Sequence, residues 1–173
     1  MGYPLENTPT AHFFEAFFQL HLNLNKGHFF YKNLKSLLST PWCQSLFKFH
    51  YINIEDYLKD IESKNLFRFS QDKLYPNDDT QSIQYCFFGP IDTIGDFLQR
   101  LLSLCDHFIF FLEKSNETAA TLHLAYFQKF KSLFNQLEAM HQKHSFVEDF
   151  SLLLLIYRAL MKVEKIHFLV HQV

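Results

Sequence analysis

An all-α fold, a helical bundle of about five or six helices with a short hairpin or irregular loop around residues 64–90, follows from three observations. The chain has only 4 Gly and 5 Pro among 173 residues, too few for the many tight turns of an all-β sandwich. Two Thr-Pro pairs, Thr8-Pro9 and Thr40-Pro41, each read as a capping residue followed by a proline at the first helical position. The C-terminal half carries apolar residues at helical spacing over long stretches.

The first helix starts at Pro9 and repeats Phe13, Phe17, His21 and Leu24 on one face, with Asn25-Lys26-Gly27 as its stop or kink. His28 to Leu38 reads as continued helix, and Pro41 to about His50 as a short one. Asn53 caps a further helix from Ile54 to about Ser63, with Asp56 in its first turn. Leu66–Phe69 and Ser82–Tyr85 read as short extended pieces around the turn-rich Tyr75-Pro76-Asn77-Asp78-Asp79. Gly89-Pro90 opens a helix to about Lys114, with Phe97, Leu101, Leu104, Cys105, Phe108 and Phe111 on its apolar face. The next runs from about Glu117 to Lys143 with a stripe of Tyr126, Phe130, Leu133, Phe134, Leu137 and Met140. Ser145 and Glu148 fit a capping box for a final helix running nearly to the end. No repeat of 20–50 residues and no boundary interrupts the chain, so residues 1–173 read as a single helical domain.

Composition narrows the function classes. With 16 basic and 18 acidic residues the net charge is −2, which supplies no electrostatic footprint for nucleic acid. The N-terminus lacks the basic and apolar regions of a secretory signal, and Glu6 stands where N-myristoylation after Gly2 needs Ser or Thr. No apolar run reaches the length of a transmembrane helix. Cys43, Cys86 and Cys105 are odd in number and form no C-x-x-C pair, which speaks for a reducing, cytoplasmic setting. No G-x-S-x-G, H-E-x-x-H, Walker or dinucleotide motif is present, and Cys105 lies in an apolar face that keeps a thiol inert.

Two features remain. The first is a surplus of apolar surface: 22 Phe in the chain, and a final helix whose polar face narrows to Arg158, Lys162 and Lys165. Leu152, Leu155, Ile156, Val163 and Ile166 are the expected partner-binding residues, and a homodimer is the simplest cover. The expected function is therefore a non-enzymatic protein–protein interaction module: an adaptor, a secretion chaperone or a small regulatory subunit, with no cofactor.

The second feature is a pair of Glu-x-x-His units, Glu138/His141 and Glu164/His167, with His171 one turn further on. The pair resembles in part the ligand pattern of carboxylate-bridged di-iron bundles. Here the units stand on neighbouring helices, whereas in that family another helix separates them. The resemblance implies a transition metal such as iron held by Glu138, His141, Glu164 and His167, and the four-residue spacing of His167 and His171 can hold one metal ion such as zinc. His123 and His141, like His21, fall on Phe-rich faces. They read as core histidines bonded to a carbonyl, or as the polar contact of an apolar-ligand or haem pocket. His107 falls on a polar face and reads as solvated.

Overall fold

The chain enters through strand β1 (Tyr3–Pro4) and a 3-10 turn at Leu5–Asn7; a computed structural model describes residues 2–64, 67–76, 79–144 and 149–167. Helix α1 (Pro9–Leu22) starts as its sequence dictates. The Thr8 hydroxyl accepts from the Ala11 N–H at 3.1 Å, and Pro9 sits where a missing N–H costs nothing. The helix ends at the Asn23 cap, and Lys26 (φ 51°) and Gly27 (φ 73°) then take left-handed backbone that turns the chain into the next element.

The chain does not resume as helix at His28. It forms strand β2 (His28–Phe30) before helix α2 (Tyr31–Leu38). Helix α3 (Pro41–Phe49) is capped by Thr40. It ends in a Schellman motif: the Ile52 N–H reaches the Phe47 carbonyl at 2.9 Å and the Tyr51 N–H reaches that of Lys48 at 3.0 Å. Tyr51 (φ 60°) occupies the left-handed position that glycine usually fills. Helix α4 (Ile54–Ser63) begins at Asn53, whose side chain accepts from the Glu55 N–H.

Around residues 64–90, where a short hairpin or an irregular loop is expected, the chain is irregular apart from strand β3 (Arg68–Ser70) and short helical turns. Strand β3 pairs antiparallel with β2 rather than with Ser82–Tyr85, in a register that sets Phe29 opposite Phe69. Ser82 is instead the cap of helix α5 (Ile83–Phe88). Helix α6 (Ile94–Lys114) starts four residues later than Pro90 because Thr93 and Asp96 form a reciprocal capping box. Helix α7 (Ala120–His144) follows. Helix α8 (Phe150–Val163) starts at the Asp149 cap, so the expected Ser145–Glu148 box lies outside the described residues. The last helix also stops early: at Glu164 the backbone turns extended, and strand β4 (Lys165–Ile166) pairs with β1.

Among the described residues the fold is thus all-α, with eight α-helices and only short strands. The count exceeds the expected five or six because α2 is a separate rod rather than a continuation of α1, and because α5 forms where an extended piece is expected. Each helix sends buried side chains into one apolar cluster. Its centre is aromatic: Phe108 stacks on Phe127 at 4.4 Å between α6 and α7, and Phe14 of α1 packs on Phe127, Phe130 and Phe134. No described helix is long and apolar enough to cross a membrane.

Arg100 of α6 ties the α5–α6 corner. Its guanidinium donates to the carbonyls of Tyr85 (2.7 Å), Cys86 (3.1 Å) and Pro90 (3.1 Å), and it lies over the Tyr85 ring at 5.0 Å. Hydrogen bonds to a charged donor are the stronger kind, so Arg100→Ala should cost about 2–3 kcal/mol in urea unfolding. Arg100→Lys should recover less than half, since a point ammonium cannot serve a fork of carbonyls. Equal stability of all three proteins would show that the corner holds without this side chain.

Candidate functional site

The last helix is built with two apolar faces. Leu153, Leu154, Tyr157 and Met161 turn inward and are buried. Tyr157 fixes the docking: its ring packs on Phe18 at 4.8 Å, and its hydroxyl donates to the Ala11 carbonyl at 3.0 Å, holding α8 against α1. Burial pushes the Tyr157 phenol well above its ordinary pKa, so it remains a donor. Arg158 donates through Nε to Glu15 of α1 at 3.1 Å, closing one flank. Phe150 meets Phe97 at 5.6 Å near the helix start.

The outward face is a second stripe. Leu152, Leu155, Ala159 and Val163 recur at i, i+3, i+7 and i+11, one side of a helix. Leu152 is 38%, Leu155 61% and Val163 71% exposed. Ile156 is half-buried at the edge of this stripe. Four of the five residues expected to meet a partner therefore lie on α8, three of them largely in water. Ile166 is a correction: it belongs to β4, is 8% exposed and packs into the core, because the helix ends before it.

The expected metal ligands are not brought together. Glu138 accepts from Gln99 of α6, and His141 lies beside Gly95 in the first turns of α6. Glu164 instead pairs with Lys129 at 3.1 Å, roughly 13 Å along α7 from Glu138 at 1.5 Å per residue. His167 sits next to Gly2 at the β1–β4 pair. His171 lies outside the described residues. Among the described residues no group of three or more His, Cys, Asp or Glu side chains is placed to hold a metal ion.

The histidines on the aromatic faces have separate surroundings. His21 is 9% exposed; its Nε2 bonds the Phe87 carbonyl at 2.9 Å, while Phe17, Phe29 and Phe97 surround the ring. Burial holds its pKa down at about 4. His123 is half-buried edge-to-face on Trp42 at 4.6 Å, and burial lowers its pKa. The three cysteines are free and buried. Burial raises Cys86 to about 11 and Cys43 and Cys105 well above the usual thiol range, so none is a nucleophile near neutral pH.

The sequence reading missed one pair. His107 of α6 is not simply solvated: it is half-buried against His50, the C-cap of α3, with ring centres 5.9 Å apart. Nothing in the local pattern of either helix announces a partner 57 positions away; only the α3–α6 packing does.

No family model matches the chain, and neither a curated protein nor a solved structure shows significant similarity to it.

Proposed function

We propose that this chain is a non-enzymatic protein–protein interaction module that docks through the outward stripe of α8. The observation that carries this reading is the exposure of Leu155 and Val163 on a helix whose opposite face is already fully used. Covering apolar surface yields about 25 cal/mol per Å², so a continuous row of such side chains favours a partner. A second copy of the chain is the simplest occupant. Two α8 helices packed antiparallel about a twofold axis bring the Lys162 end of one against the Asp149 end of the other, so charge as well as grease is complementary. The three buried free cysteines suit a reducing, cytoplasmic compartment.

Light scattering across a concentration series tests the reading. The native chain is expected to form a dimer, and Leu155→Glu with Val163→Glu, which sets like charge against the partner's Asp149 end, to remain monomeric. Both substituted positions point into solvent, so the variant's own unfolding free energy should stay within about 0.5 kcal/mol per site of the native monomer's. A native chain that stays monomeric at every concentration overturns self-association.

A further inference from the structure

We propose that His50 and His107 form a two-histidine site for a borderline divalent transition metal, Cu²⁺ or Zn²⁺, that clamps the end of α3 to the middle of α6. The inference is independent of the α8 surface.

Three observations carry it. The first is distance. With metal–nitrogen bonds of about 2.0–2.1 Å and a ring centre about 1.2 Å behind each nitrogen, two imidazoles on one tetrahedral ion have centres roughly 5.3 Å apart, within about 0.6 Å of what is found, a gap that a small side-chain rotation closes. The observed separation is 5.9 Å, with the planes 75° to one another. The second is availability. Both rings are half-buried, and among the described residues neither has a side-chain hydrogen bond that would use up a lone pair. Neutral imidazole is the form that ligates.

The third is the field. His50 is the C-cap of α3, the negative end of that helix's dipole, where a cation is favoured. Asp106, beside His107, adds negative charge, although its carboxylate is engaged by Lys131. Phe49 meets the His50 ring edge-on at 5.4 Å and is itself held by Phe110 and Phe111. Two protein donors leave the remaining coordination positions to water. Two nitrogen donors and no oxygen cage select Cu²⁺ or Zn²⁺ over Mg²⁺ or Ca²⁺.

Untagged full-length protein titrated with CuCl₂ or ZnCl₂ in a calorimeter should take up one equivalent at this site, Cu²⁺ the tighter. MgCl₂ and CaCl₂ should give no heat of binding. His50→Ala and His107→Ala should each weaken binding at least about tenfold, whereas His12→Ala, which removes an exposed histidine elsewhere, should not. Because the ion bridges two helices, it should also raise the melting temperature of the native protein. Each variant should lose that rise, a difference readable even if its own basal stability has changed. Copper electron paramagnetic resonance should show two nitrogen ligands. Absence of binding, or binding and thermal stabilisation that survive both substitutions, overturns the proposal.

Discussion

Phe14→Ala should lower the unfolding free energy by about 3–5 kcal/mol, the largest loss expected from any single truncation in this chain. Phe14 is fully buried, and its ring meets Phe13, Phe127, Phe130 and Phe134 with centres 4.9–6.1 Å apart. Removing it opens a cavity lined by rings from two helices. Flat rings held edge-to-face, with Phe130 stacked, cannot collapse into such a void without losing their own contacts, so relaxation recovers little. For a chain of this length each kcal/mol moves the melting temperature by about 2–4 °C, which makes the expected drop on the order of 10 °C. Thermal unfolding followed by circular dichroism measures it. A loss below about 1 kcal/mol would mean that the aromatic centre repacks freely. Phe14→Leu should retain more than half of the difference, since a branched aliphatic side chain fills most of the space.

Acid should destabilise the protein through His21 over a defined window. In the unfolded chain this imidazole titrates near its ordinary value of 6.5; in the fold, burial holds it at about 4. Above the higher value both states are neutral and the contribution of His21 to stability is complete. As the pH falls through the window, the unfolded state binds a proton that the folded state refuses, and stability declines until the folded ring also protonates near the lower value. The gap corresponds to about 3 kcal/mol. Urea unfolding of the native protein and of His21→Gln, measured from neutral pH down to about 4, isolates the effect. Glutamine retains a donor for the Phe87 carbonyl but carries no titrating proton. The native curve should fall below the variant's relative position at neutral pH by about that amount. Carboxylates protonate in both proteins and cancel in the comparison. Parallel curves would show that His21 is hydrated in the folded chain.

The features readable from sequence are those written locally. Thr8, Thr40 and Asn53 each satisfy N–H groups two or three residues ahead, so their positions alone locate α1, α3 and α4. The stripe on α8 is readable for the same reason: its period is a property of that helix. His21 is likewise legible as a core residue from its place in the Phe repeat. The misread segments are those whose structure depends on distant chain. His28–Phe30 has the composition of a helix start, but Arg68–Ser70 supplies its ladder, and Tyr31 donates to the Phe67 carbonyl at 2.9 Å. Residues 164–166 continue a helical pattern, yet the Leu5 N–H takes the Glu164 carbonyl at 3.2 Å and β1 draws the strand out. Ser82–Tyr85 alternates like a strand, while Ser82 acts as a cap. The His50–His107 pair and the Glu164–Lys129 bridge belong to this second class, because they arise from packing between helices.

The wiring of Phe14 to rings over a hundred positions downstream bears on how the chain emerges from a ribosome. At about 5–20 residues per second, α1 leaves the exit tunnel many seconds before α7 exists to receive it. In that interval its Phe13, Phe14, Phe17 and Phe18 face water together on a single turn-and-a-half of nascent helix. A bacterial or eukaryotic holdase that reads short aromatic runs would find its earliest foothold there, and the yield of the chain in a cell would track chaperone supply before it tracked the thermodynamics of the finished fold.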